Sequence, residues 1–297
     1  MRHLHRSSPS RKVFVFFNTL FMAALAFLCL APVIHVVSAS FSDPTRLFAN
    51  TGILLYPLGF TLKGYEIIFG NDSLLNGYLN TIYYIVAGGL LSTTLTMLGA
   101  YVLSRKKVLW ANKLMLFLML PMLFGGGLIP FYLVVTALGM YDTRWAVIVP
   151  GAVQIFNVII LRTALREIPD SLEESAKMDG AGHLTIMTRI VMPLAKPTLA
   201  VIILFFAVNM WNSWFQAAIF IRTRSMFPLQ LILREILVQN DASAMIKNSV
   251  DAATKADLYK PLVKYATIVA TTMPVLFFYP FAQKYFVTGV MLGSLKG

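Results

Sequence analysis

Carboxylates are among the side chains from which acid–base and metal sites are built, and this 297-residue sequence has one cluster of them, at Asp170, Glu173 and Glu174. Asp170 and Glu173 have the spacing of a helix capping box, in which side-chain oxygens satisfy free backbone amides. Ser171 and Glu174 repeat that spacing one residue later. Because Pro169 cannot continue a preceding helix, a new helix is expected here. We therefore predict that these carboxylates cap a helix and form no catalytic centre.

Residues that commonly bind metals are scattered through the chain. The single cysteine, Cys29, lies within an apolar block, so neither a disulfide nor a Cys/His zinc cluster is expected. His35 has no carboxylate or second histidine at ligand spacing. The sequence therefore predicts no metal site and no cofactor bound by this chain.

Uncharged amides are the polar groups that lie deep within apolar stretches. Gln154 and Asn157 are three residues apart, while Asn209, Asn212 and Gln216 recur at helical spacing and would share one face. Amides both donate and accept hydrogen bonds, which suits sugar hydroxyls, and aromatic rings can cover a sugar face. Hydrogen bonding between helices explains the amides equally well. The residues expected along a substrate pathway are Gln154, Asn157, Asn209, Trp211, Asn212 and Gln216; for the nearby Trp214, a position at the membrane interface is favoured.

The elements that carry these residues are long and apolar. The chain is 58% hydrophobic and 13% charged, whereas soluble domains are about 25% charged. Each apolar block is long enough to cross roughly 30 Å of hydrocarbon. We therefore predict an all-α integral membrane protein with six transmembrane helices, at 13–37, 76–103, 114–138, 145–165, 198–221 and 262–287.

The basic residues indicate how the helices are oriented. Fifteen of the 25 Lys and Arg residues fall on the side that holds both termini, and the two sides carry net charges of +10 and +2. Positive loops stay in the cytoplasm, so both termini are expected there. The basic residues are thus distributed according to the side of the membrane, and no nucleic-acid partner is expected. Block 13–37 is too long for a signal peptide and is interpreted as a retained first helix.

Three consecutive glycines, at 125–127, interrupt the third block and are followed by Pro130. They would form a hinge or an unwound segment of the pathway, or else allow tight helix packing; packing is favoured because small residues are frequent at contacts between membrane helices.

The polar segment 167–197 joins the fourth and fifth blocks. Its first helix is expected to end at Gly180, since glycine accepts the left-handed conformation that terminates helices. A second amphipathic stretch, 184–192, ends at Pro193. The segment therefore predicts a helix, a turn and a second helix at the membrane surface.

The same segment resembles the EAA loop of binding-protein-dependent ABC importers, whose pattern is EAA, three residues, G, nine residues, I, one residue, L, P. The spacing matches at every step, with Ser175 in place of alanine and Met192 in place of leucine. The matching positions are Glu174, Ser175, Ala176, Gly180, Ile190, Met192 and Pro193.

This resemblance implies the six-helix fold of a type I importer permease, in a bacterial cytoplasmic membrane and in contact with lipid. The loop would be a coupling helix that sits in a cleft on a separate ATPase, with Glu174 as its polar contact, Ala176 and Gly180 permitting close approach, and Pro193 stiffening the return to the membrane. The chain has no GxxxxGK[ST] phosphate loop, so ATP and magnesium would bind to partner subunits. The implied partners are two ATP-binding subunits, a second permease, an external solute-binding protein and an oligosaccharide.

Within that family the chain is similar to the smaller permease of maltose-type systems and to permeases for alginate or pectin fragments. Segments 41–47 and 289–297 carry this likeness. It implies that the outer loop 222–261 docks the binding protein and that 292–297 touches the ATPases. The expected organisation is 1–75 as tail, first helix and outer segment, 76–287 as permease core, and 288–297 as cytoplasmic tail.

Two other classes of membrane protein fit the sequence less well. A secondary transporter or channel for small polar solutes usually keeps ionisable residues within the bilayer, yet no Asp or Glu lies deep in a predicted span. A membrane enzyme would need a reactive centre, and capping explains the one acidic cluster.

Overall fold

A computed structural model describes residues 9–106, 108–238 and 256–294. Throughout these ranges the regular elements are helices, apart from an isolated antiparallel bridge between Ser42 and Phe60. The predicted all-α class is confirmed. Contacts group the chain into two units, Met1–Asn71 with Ile236–Thr272, and Asp72–Glu235 with Met273–Gly297. The division expected from the sequence into 1–75, 76–287 and 288–297 stays a prediction.

Within its described residues, the first unit contains three complete helices and parts of two longer ones. Asp43 caps α2 by accepting hydrogen bonds from the backbone amides of Thr45 and Arg46, at 3.0 and 3.2 Å. His35 uses both ring nitrogens in structural bonds, with Nδ1 accepting from the Leu54 amide at 3.0 Å and Nε2 lying 3.3 Å from the Tyr265 hydroxyl. The helices are α1 Pro9–Ser40, α2 Pro44–Ala49, α3 Lys63–Phe69 and the N-terminal part of α15 Ala256–Ser294.

The second unit is built on the long helix α4, which packs against the helices that precede and follow segment 167–197. The helices are α4 Asp72–Ser104, α5 Ala111–Leu123, α6 Leu128–Ala137, α7 Trp145–Ile148, α8 Ile155–Arg166, α9 Asp170–Met178, α10 His183–Ile186, a π turn Met187–Val191, α11 Met192–Leu194, α12 Lys196–Trp211, α13 Phe215–Phe220 and α14 Leu229–Val238.

The described residues do not form six continuous spans. Three helices are long and apolar enough to cross a membrane unbroken, Pro9–Ser40, Asp72–Ser104 and Leu258–Phe278. The number rises to at most five, by length and composition, if each of two bent helix pairs is counted as one span. These pairs are Ala111–Leu123 with Leu128–Ala137, bent by 114°, and His183–Leu194 with Lys196–Trp211, bent by 84°.

The predicted fourth and fifth spans are interrupted. The fourth consists of α7 and α8, separated by a non-helical stretch that contains Pro150 and Gly151. Proline lacks the amide hydrogen that a helix needs and clashes with the preceding turn, which explains the break. The fifth span stops at Trp211 and resumes at Phe215.

Glycines 125–127 separate α5 from α6. Gly127 has φ +82°, a conformation that residues with a side chain rarely adopt. A Cβ atom added at Gly125 or Gly126 would meet no atom within 4 Å. Within this chain the tight-packing interpretation was therefore wrong, and the glycines form a break between two helices.

Candidate coupling loop and substrate cavity

Helix α9 begins after Pro169, as predicted, but its carboxylates do not cap it. Pro169 occupies the N-cap position, and no side chain caps the first amides. Asp170 Oδ2 lies 2.7 Å from Lys106 Nζ, and Glu173 pairs with Arg105. The capping-box prediction was wrong because the end of α4 brings two cations to the first turn of α9. The basic run 105–107 was the sequence signal for this pairing.

The pair between Arg105 and Glu173 is the more buried of the two. Glu173 is 5% exposed. The Arg105 guanidinium lies 4.7 Å from the ring centroid of Tyr101, and Nε donates to Ser104 Oγ at 3.1 Å. Burial lowers the pKa of Arg105, while Tyr101 and Asp170 oppose that shift. Arginine remains charged under ordinary conditions, so the two opposite charges fix α9 to the end of α4.

Gly180 ends α9 as predicted. Its φ of +81° allows the amide of Gly180 to donate to the Lys177 carbonyl at 3.0 Å and the amide of Ala181 to donate to the Ala176 carbonyl at 2.9 Å. These two bonds form a Schellman motif, which satisfies the last carbonyls of the helix. A Cβ at Gly180 would meet no atom within 4 Å, so no described side chain packs against this position.

The motif positions divide into a buried and an exposed set. Ala176 packs in the core of its own chain, together with Leu161 of α8 and Ile186 of α10, so it does not offer a docking surface. Ile190 is partly buried against the same core. The exposed motif residues are Glu174, Ser175, Gly180, Met192 and Pro193.

The two most exposed apolar side chains of this loop lie outside the motif. Met178 is 88% exposed and Leu184 is 70% exposed, on either side of Gly180 in the sequence. Apolar side chains this exposed are candidates for contact with a partner surface. Their exposure was not predictable from the sequence, because the composition of a polar segment does not indicate which of its apolar side chains face solvent.

A cavity of about 760 Å³ brings together most of the predicted pathway residues. It lies between α8, α12 and the break before α13. Trp211 is the exception, since its ring instead faces Tyr78, with centroids 6.3 Å apart. The lining includes Gln154, Asn157, Asn209, Asn212, Trp214 and Gln216.

Hydrogen bonds made by the cavity amides are local. Asn157 Nδ2 donates to Gln154 Oε1 at 3.0 Å, and Asn212 Nδ2 donates to the Val208 carbonyl of its own helix at 2.8 Å. The helix-to-helix alternative therefore does not explain these two amides. Trp214 lines the cavity and packs against the buried cluster around Tyr84, which disfavours a purely interfacial role.

A second polar network ties the segment after α13 to α4 and to the turn before α7. Asn80 Nδ2 donates to the carbonyls of Ser225 and Phe227, at 2.7 and 3.1 Å. Asn80 Oδ1 accepts from Arg144 at 3.0 Å, and Arg144 also stacks on Tyr83. These bonds fix the approach to α14.

Asp142 anchors the same segment from the other side. Its Oδ1 accepts from the amides of Arg222 and Thr223 at 2.8 and 2.9 Å, and its Oδ2 accepts from the Thr223 hydroxyl at 2.8 Å. The hydrogen bonds from Thr223, followed by the amide of Arg222, lower the pKa of Asp142. The carboxylate is therefore ionised at neutral pH and holds the turn as an acceptor.

Comparison with known proteins places the chain in a family. No protein-family profile matches it. It is 39% identical over 277 residues to the polygalacturonan/rhamnogalacturonan transport system permease protein YtcP of Bacillus subtilis, covering 93% of this chain and 96% of the relative. One permease chain in the crystal structure of a bacterial ABC transporter that imports the acidic polysaccharide alginate matches with a TM-score of 0.85 and 32% identity, over 94% of this chain and 98% of that one.

A further structure matches in fold alone. It is the bacterial alginate ABC transporter in complex with an alginate pentasaccharide-bound periplasmic protein, with a TM-score of 0.53 and 14% identity over 89% of this chain and 94% of that one. The strong relatives span nearly the whole chain. The chain therefore belongs to the permease subunits of ABC carbohydrate importers, the non-catalytic membrane components of those transporters.

Proposed function

We propose that this permease carries an oligosaccharide, delivered by an external binding protein, across the bacterial cytoplasmic membrane, and that loop 167–197 couples this step to separate ATP-hydrolysing subunits. ATP and magnesium bind to those two subunits. A second, related permease completes the pathway, and both termini lie in the cytoplasm.

The observation that carries the coupling proposal is the shape of the loop. Helix α9 is fixed to α4 by its inner face, while Glu174, Gly180, Met178 and Leu184 are exposed. A docking helix needs this combination, because the exposed face must fit a cleft and the inner face must transmit movement. Apolar side chains at the centre and polar ones around them are typical of protein interfaces.

The transmission route follows the core of the second unit. Residues of α4, α8, α9 and the π turn share one hydrophobic cluster, and packed interiors move as units because they compress little. Asn157 lies on α8 and lines the cavity. When the ATPases close, movement of α9 is carried through this cluster to the cavity wall. The cavity then faces outward to receive substrate, and hydrolysis returns it inward.

The cavity chemistry supports a sugar as the cargo. Amide groups satisfy hydroxyls in both directions, and Trp214 offers an aromatic face. The relatives named above transport polygalacturonan, rhamnogalacturonan or alginate. Oligosaccharides containing uronate are therefore the cargo class we propose. The binding protein would dock on loop 222–261, of which residues 239–255 lie outside the described part of the chain.

The coupling role is tested by placing charge on the exposed apolar residues of the loop. Met178→Glu and Leu184→Glu should each abolish co-purification of the ATPase subunits and ATP-driven uptake, while the chain still inserts into the membrane. Leu109→Glu is the matched control, since Leu109 is 85% exposed and lies on the same side in the predicted topology. Retention of the ATPases and of uptake in both loop variants would contradict the proposal, as would transport by the purified chain alone.

A further inference from the structure

The described residues that line the cavity include no charged side chain. Amides satisfy sugar hydroxyls, but a carboxylate in a low-dielectric site needs a cation or several strong donors to offset the loss of water. Recognition of an acidic sugar would therefore require a basic group beside the lining.

Arg234 is such a group. Its Cζ lies 3.6 Å from the ring centroid of Trp214, which lines the cavity. Arg234 is exposed, and no carboxylate of the described residues lies within ion-pair distance of it. The neighbouring Arg224 differs, since it pairs with Glu235 at 3.1 Å.

Contacts at the start of α14 fix the position of this helix, and with it that of Arg234. The Leu229 amide donates to Thr81 Oγ1 at 2.9 Å, which anchors α14 to α4. Gly77 lets the two helices approach, because a Cβ there would lie 2.6 Å from Ile232 Cδ1. The indole ring then supports the guanidinium from one face.

Stacking leaves the donors of the guanidinium available. A cation–π contact uses the flat face of the group, whereas the N–H donors point outward in its plane. Those donors match the two oxygens of a carboxylate in a bidentate pair. The arrangement therefore places a cation against a ring that lines the cavity.

We propose that Arg234, stacked on Trp214, forms a subsite for a sugar carboxylate at the edge of the cavity and makes the permease select oligosaccharides that contain uronate. This rests on the proposed function, since it assumes that the cavity holds the cargo. In this arrangement the sugar hydroxyls contact the amides that line the cavity, and the sugar carboxylate contacts Arg234.

The test compares an oligogalacturonate with its fully methyl-esterified, neutral form of the same length. Both are measured in ATP-driven uptake by the reconstituted complex with its binding protein, and in direct binding to the solubilised complex without it. Arg234→Met should weaken binding and uptake of the acid by about ten- to a hundredfold, as expected for one lost charged hydrogen-bond pair, and change those of the ester by less than about twofold. Arg234→Lys should recover part of the acid activity.

Arg222→Met is the control, because Arg222 also stacks on an aromatic ring, Tyr141, at 5.7 Å, and that ring does not line the cavity. It should leave the ratio of acid to ester unchanged. The subsite would be overturned if Arg234→Met lost binding and uptake of both sugars equally, or lost neither. A preference of the wild-type complex for the ester over the acid would also overturn it. If the wild-type complex transports neither sugar on ATP addition, it is the proposed function that fails.

Discussion

Arg105, the first residue after α4, pairs with Glu173 in α9, and this buried ion pair joins a membrane-spanning helix to segment 167–197. The next residue, Lys106, pairs with Asp170 of the same helix, but both side chains are largely exposed. The same two elements are thus linked by one buried and one exposed pair, which provides an internal control for the role of burial.

Glu173→Ala should destabilise the loop strongly. Removing one partner of a buried pair leaves the other charge unpaired, which typically costs about 3–5 kcal/mol. Lys106→Ala should cost less than about 1 kcal/mol, because exposed pairs contribute little. Denaturant unfolding in detergent measures the stability, and the ratio of ATP hydrolysed to sugar imported measures coupling. The charge swap Arg105→Glu with Glu173→Arg should recover part of the coupling; equal effects of Glu173→Ala and Lys106→Ala would argue against a special role for the buried pair.

Gly180→Ala should weaken the loop through its backbone alone. No atom would contact the new methyl group, but a φ of +81° costs an alanine about 1–2 kcal/mol. Gly180→Asn should be milder, since asparagine tolerates this conformation. Gly182→Ala serves as the control, because Gly182 is equally open but has φ −74°. Protease protection of the loop reports the change, and equal protection in the two alanine variants would count against the backbone explanation.

Gly77→Ala should displace α14. The added Cβ would lie 2.6 Å from Ile232 Cδ1 and 3.2 Å from Leu229 Cα, and the backbone atom cannot rotate away. Overpacking of this kind typically costs about 1–3 kcal/mol. Gly99→Ala on the same helix meets no atom within 4 Å and is the control. Thermal unfolding should separate the two variants; matching midpoints would show that α14 does not depend on this contact.

Asp142→Asn should remove a pH-dependent part of the stability. The folded-state pKa of Asp142 is depressed, so its stabilising effect is present above the unfolded value of about 4 and is lost as the pH falls through the folded value. Asparagine keeps the shape and tolerates the residue's φ of 54° while lacking the charge. The difference in unfolding midpoint between wild type and variant should therefore be largest near neutral pH and shrink in acid. A difference that stays constant with pH would contradict the electrostatic origin.

Much of the local structure was predictable from the sequence. Pro169 marked the start of α9, and Gly180 marked its end. These features depend on backbone preferences that act over a few residues. Five of the six residues predicted along a substrate pathway line one cavity, because an amide in an apolar stretch must lie where another polar group or water can reach it.

Only the tertiary structure decided which partners the polar groups take. The spacing of Asp170 and Glu173 suits capping, yet the ion pairs with Lys106 and Arg105 prevail because α4 ends beside them. Likewise, the ring of Trp211 faces Tyr78, whereas Trp214 lines the cavity and stacks against Arg234. Local conformation is determined by neighbours along the chain, whereas the contacts of a side chain depend on which distant helix packs against it.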